Sequence, residues 1–195
     1  MVDQFRGGLP IRLFLDQPSF ESWLNAHLFE ENGVWIKLAK KGSGAVSITY
    51  DEAVESALCF GWIDSQAASS DEEYYLQKFS PRRARSKWSR LNREKVEALI
   101  ASGRMQPAGY HQVEVARQDG RWEAAYDPQS MITVPADFQL ALDSNEQAQK
   151  FFSTLNSPNR YAILHRLQIT KNPAIRQAKI HQFVEMLANN EKIYP

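Results

Sequence analysis

One cysteine, Cys59, stands in 195 residues, so no disulfide can form within the chain. A lone thiol fits a reducing compartment. No run of about 18 apolar residues occurs, so no hydrophobic helical span of a membrane is expected. The opening residues, MVDQFRGGLPIRLFLDQ, hold no basic segment followed by an apolar one, so no export signal is expected and the cytoplasm is the expected compartment. An excess of one charge is missing too: 23 Lys and Arg balance 23 Asp and Glu. Global charge therefore favours neither nucleic acid nor an acidic substrate. Phosphate-loop glycines, a dinucleotide fingerprint and a serine nucleophile elbow are all absent. His27, His111, His165 and His181 lack metal-ligand spacing, so neither a metal nor a cofactor is expected.

What is present is an ordinary globular composition, 43% apolar and 24% charged, enough for a buried core. The front half mixes periods. Ile11 to Leu15 read as a short edge strand after a loose start. Phe20, Trp23, Leu24 and Leu28 recur at helical spacing, with Ser19 as the expected N-cap and Gly33 as the stop. Residues 34–39 alternate at strand period. Thr49 and Glu52 form a capping box that opens a helix ending at Gly61. Residues 62–67 and 74–79 read as the two strands of a hairpin. From Ser89 the pattern is helical. Helices close at Gly103 and near Gly120, and a linker follows over 121–134. Further helices start at Pro135, after Ser144, at Ser157-Pro158 and at Asn172-Pro173. The expected class is α+β: a small antiparallel or mixed sheet with flanking helices over residues 1–128, then a helical unit over 129–195 docked on it. Limited proteolysis near 128 should then release no stable fragment, because so short a bundle is marginal alone.

The local charge is far from even. Residues 78–95, KFSPRRARSKWSRLNREK, hold eight basic side chains and one acidic one, a net +7, which leaves −7 for the rest. Guanidinium groups beside a stacking ring suit phosphate or carboxylate; the plainer reading is a set of surface ion pairs with Trp88 as a core anchor. Trp62 and Asp64 lie two apart on a strand and so share a face. The returning strand brings Phe79 alongside, and Pro81 turns the chain at Arg82 and Arg83. The expectation is one concavity lined by Trp62, Asp64, Arg82, Arg83 and Trp88, with Asp64 holding one arginine, and with Arg82 and Arg83 adding little to stability.

Tyr50–Glu55, Cys59-Phe60-Gly61-Trp62-Ile63-Asp64, Phe79-Ser80-Pro81-Arg82-Arg83, Lys87-Trp88-Ser89 and Gly103-Arg104-Met105 resemble the YdeI/OmpD-associated family, also called bacteriocin-protection proteins. The tail, from Val134-Pro135 through Lys171-Asn172-Pro173 to Met186-Leu187-Ala188, is similar as well, so the resemblance covers nearly the whole chain. It implies a stress-linked protein without an agreed reaction.

Three functions follow. The first is a binding module, its partner an anionic small molecule or a protein. The second is an enzyme with Asp64 or Glu55 as base and the arginines stabilising negative charge. The third is non-specific nucleic-acid contact through 78–95, with the steep salt dependence that implies. No catalytic residue is assigned, because no catalytic constellation is complete. Asp51 and Glu52 sit where they compensate a helix dipole, and Cys59 falls in an apolar helix end where free cysteine is usually a core residue.

Overall fold

The structure, a computed structural model, describes residues 4–28 and 32–195. The chain divides into two units. The first runs to Lys87 and resumes over Asn92–Glu123; the second joins Trp88–Leu91 to Ala124–Pro195. The class is α+β, with a five-stranded mixed sheet and a helical C-terminal region.

In the first unit β1 (Gln4–Arg6) and β2 (Leu9–Leu13) form a hairpin. Gly7 and Gly8 close it at φ 58° and 77°, a left-handed pair that two-residue hairpin turns require. That turn folds β1 back outside β2, so Ile11 lies between Gln4 of β1 and Trp35 of β3 rather than at the sheet edge. Through α1 (Gln17–Ala26) β2 leads to β3 (Val34–Ala39), which it pairs in parallel. The N-cap of α1 is Asp16, not Ser19. Its carboxylate accepts the Ser19 N–H at 2.9 Å, and Pro18 occupies the first turn. The helix ends at Ala26 with His27 as C-cap, well before Gly33. That glycine serves a close approach instead: an added Cβ would come 2.4 Å from the Phe79 carbonyl oxygen.

Next, α2 (Tyr50–Cys59) carries the expected capping box, with Thr49 and Glu52 each accepting the other's backbone N–H. The hairpin of β4 (Trp62–Ser69) and β5 (Tyr74–Pro81) completes the order β1-β2-β3-β5-β4. Phe79 on one sheet face meets Phe20 of α1 edge-on at 5.6 Å, and Trp62 on the same face meets Trp23 of α1 at 5.7 Å. All four lie on the side where α1 and α2 pack. α3 (Arg90–Ala101) buries Val96 and Leu99, and α4 (Pro107–Gln118) crosses α2 at Gly109.

The second unit holds α5 (Ala136–Asp143), α6 (Glu146–Thr154), α7 (Ser157–Gln168) and α8 (Pro173–Ala188), and no strand occurs among residues 136–190. Asn145, Asn156 and Asn172 cap α6, α7 and α8 through side-chain oxygens. Ser144, expected as the cap of α6, instead closes α5 as its C-cap, because the asparagine that follows supplies the better-placed acceptor. Phe138, Leu142, Phe152, Ile163, Leu167, Ile180 and Leu187 form the core. The linker expected over 121–134 is tied down at Tyr126. Its N–H donates to the Trp88 carbonyl at 3.0 Å, its carbonyl accepts from the Arg90 N–H at 2.9 Å, and Arg90 pairs with Asp127 at 2.7 Å.

Arg176 of α8 grips Asp137 of α5 at 2.6 and 2.9 Å and also donates to the Leu167 carbonyl. The guanidinium bonds hold the Asp137 carboxyl below the ordinary aspartate range. A depressed carboxyl adds stability above its unfolded pKa, about 3.9, and loses that contribution as pH falls through the lower folded value. Asp137→Asn should therefore flatten the acid limb of the second unit's unfolding curve, followed by helical circular dichroism from about pH 5 to pH 2. The effect should be small, since the Asp137 side chain is 44% exposed and water screens the pair. An unchanged acid limb would mean that Arg176 does not act on this carboxyl.

Candidate functional site

Strand alternation decides which side chains meet. Trp62 and Asp64 share a face of β4, as the spacing predicts, and it is the face where α1 and α2 pack. Trp62 is 1% exposed. Asp64 accepts a hydrogen bond from the Tyr50 hydroxyl at 2.7 Å. Burial, reinforced by this bond, raises the Tyr50 pKa beyond the ordinary tyrosine range, so the phenol stays protonated and donates. Asp64 is thus oriented by a tyrosine, not by an arginine.

The other face of β4 carries Ile63 and Ser65, beside Lys78 and Ser80 of β5; Ile63 sits directly across from Ser80. The β4–β5 register slips between Asp64 and Ala67, a bulge that re-aims Ser65 and Gln66. Beyond Pro81 a tight turn brings the chain back: the Ser86 N–H donates to the Arg83 carbonyl at 2.9 Å, and the Arg83 N–H donates to the Ser86 hydroxyl at 2.9 Å. These elements enclose a half-open groove of about 380 Å³. Its polar lining comprises Ser65, Gln66, Lys78, Ser80, Arg83 and Ser86, with Asn32 and Gly33 at one end and no carboxylate among the described residues of any wall.

Arg83 lines this groove whereas Trp62 and Asp64 belong to the opposite sheet face, so these three are not gathered; Trp88 is buried, 2% exposed. Arg82 is only 6% exposed; its guanidinium donates to the Lys87 carbonyl at 3.2 Å and its backbone N–H to the Gly61 carbonyl at 3.0 Å. A buried arginine whose guanidinium braces the turn is expected to contribute to stability, unlike the exposed Arg83, so Arg82→Ala should destabilise where the sequence leads one to expect little effect. Lys78, Ser65 and Ser80 line the groove but are not among the five residues expected to form the concavity, although alternation along the two strands puts them on the Ile63 side.

The carboxylates near α2 are engaged elsewhere. Arg104 forks between Glu55 at 2.8 Å and Glu21 at 3.0 Å, Ser56 donates to Glu21 at 3.0 Å, and Lys95 meets Asp51 at 3.2 Å. Glu52 completes the helix cap. Cys59 is 1% exposed, and burial pushes its thiol up to about 11, so it is protonated at neutral pH and a poor nucleophile. Among the described residues no three of His, Cys, Asp and Glu group as a metal set, and no helix is long and apolar enough to cross a membrane.

Neither a curated protein nor a solved structure matches the chain significantly. Residues 131–190, essentially α5 to α8, match the family described as "Bacteriocin-protection, YdeI or OmpD-Associated". The motifs at Cys59–Asp64 and Phe79–Arg83 fall within a different match, so the resemblance read from the sequence divides between two families. That second match spans residues 12–112, more than half of the chain, and the protein accordingly belongs to the family described as "Domain of unknown function (DUF8412)".

Proposed function

We propose that the protein is a binding module whose first unit holds an anionic small molecule in the groove between Arg83 and Lys78. The observation that carries this reading is the lining: a guanidinium, an ammonium, three serine hydroxyls and an amide face one half-open concavity that has no carboxylate among its described walls. Hydroxyls and amides complete the hydrogen bonds of a phosphate or carboxylate, and the two cations supply the charge. The volume falls in the range of small-ligand sites. The enzymatic reading names Asp64 or Glu55 as base, and neither lines the groove. A stress-linked role rests only on the words "bacteriocin-protection" in the description matched by residues 131–190.

Calorimetric titration with inorganic pyrophosphate tests the proposal. The wild-type chain should bind it saturably, and Lys78→Glu/Arg83→Glu should weaken binding by at least about 100-fold, each reversed charge costing roughly tenfold or more. Both side chains are outside the core, so the double variant should melt like wild type. Equal binding by a folded double variant would sink the reading. So would the absence of saturable binding by wild type up to about 10 mM.

A further inference from the structure

We infer that the second unit contains a separate site for a small planar aromatic acid, formed on α7 between Tyr161, His165, Arg166 and Tyr194. Helix α7 buries Ile163, Leu164 and Leu167 in the core. Pro158, Tyr161, Ala162, His165, Arg166 and Ile169 recur at three- and four-residue spacing and form a second stripe along the helix. That stripe is the floor of a half-open concavity of about 430 Å³, lined by these residues with Gln129 and Tyr194 as walls. The size suits a ligand of one or two rings.

The walls are fixed by bonds. Asn159 is 1% exposed, and its amide pairs with the tail on both sides: its oxygen accepts the Tyr194 N–H at 2.9 Å, and its nitrogen donates to the Tyr194 carbonyl at 3.3 Å. This buried amide, whose nitrogen also donates to the Asn156 side-chain oxygen at 2.9 Å, fixes the backbone that carries Tyr194 to the concavity. Gln129 donates to the Ser157 hydroxyl at 2.7 Å. On the floor the Tyr161 and His165 rings lie 5.3 Å apart and 33° from parallel, and Tyr126 supports His165 edge-on at 4.7 Å. The rings thus offer a pre-ordered platform, and Tyr194 adds a third ring to the lining, the arrangement that stacks a planar ligand.

Charge sets the second half of the ligand. Among the described residues, Arg166 is the only lysine or arginine lining this concavity, and no carboxylate lines it. One guanidinium N–H goes to the Ala162 carbonyl at 3.1 Å, which anchors the side chain along its own helix. A guanidinium so held, beside aromatic rings and with no carboxylate among the lining residues, recognises a ring carrying one carboxylate.

Indole-3-acetate is the probe, with neutral indole-3-acetamide as its control, each titrated into the full chain by ligand-observed NMR. The acid should bind with a dissociation constant on the order of 1 mM or tighter, and the amide at least about tenfold more weakly. Arg166→Met, which keeps the side-chain length, should bring the two ligands to equal affinity. Tyr161→Ala should weaken both by at least about tenfold. Lys78→Glu/Arg83→Glu should change neither, which separates this site from the groove in the first unit. Equal binding of acid and amide by wild type overturns the inference without any variant. So does no saturable binding of the acid up to about 10 mM, or unchanged acid preference in Arg166→Met.

Discussion

Gly109→Ala should destabilise the first unit by about 3 kcal/mol, although alanine is the better helix former by about 1 kcal/mol. The two effects oppose each other, and geometry decides between them. A Cβ at position 109 would lie 2.2 Å from the Cys59 carbonyl oxygen and 2.8 Å from that of Leu58. Both are backbone atoms at the end of α2 and cannot rotate away, unlike the Met105 terminal carbon at 2.7 Å. Relief requires α4 to move off α2. That motion would also strain the bond from the Gln106 N–H to the Cys59 carbonyl, 3.1 Å long. Urea titration should show a lowered midpoint. A midpoint equal to or above wild type would mean that the helices do not approach as closely as Gly109 allows.

An effect of similar size is expected from Phe138→Ala in the second unit, about 3 to 5 kcal/mol. The ring is 0% exposed and meets Phe152 edge-on at 5.6 Å and 90°. Its removal takes away both the transferred apolar area and that aromatic contact, and leaves a cavity that α6 and α8 can fill only in part. A helical unit this short has little stability to spare. Amide hydrogen exchange should therefore show α5 to α8 losing protection while β3 and β5 keep theirs. Leu140→Ala, on the same helix but 68% exposed, is the control and should change little. Equal loss of protection in helices and sheet would mean that the chain unfolds as one cooperative block.

Elements with local chemical signals are legible in the sequence. The Thr49–Glu52 cap, the alternation over 34–39 and the Asn-Pro start of α8 are each decided within a few residues, and each lies where the sequence places it. Expectation and fold part where two local signals compete. Asp16 and Ser19 can both cap α1, as Ser144 and Asn145 can both cap α6, and the sequence alone does not weigh backbone geometry. The site is harder to read because it depends on faces. Proximity along the chain suggests that Trp62, Asp64, Arg82 and Arg83 meet, but a strand sends successive side chains to opposite sides. The bulge after Asp64 and the turn at Arg83–Ser86 then settle which side the cations reach. Neither feature has a periodic signature.

The bond between Tyr126 and the Trp88–Leu91 segment has a consequence for inheritance. Residues 88–91 lie inside the stretch matched by one family, 12–112, yet by their bonds they belong with the unit matched by the other. A genetic crossover placed between 112 and 125 would pair a new helical unit, with its own counterparts of Tyr126 and Asp127, with an old Trp88–Leu91. The newcomer's counterpart of Tyr126 would then meet a foreign strand partner, and its counterpart of Asp127 would need a cation where Arg90 now stands. Exchange of the two units along their own boundaries therefore needs three coordinated junctions, at 87/88, 91/92 and 123/124, and a chimera that carries over the four residues with the helical unit should fold where the simple fusion does not.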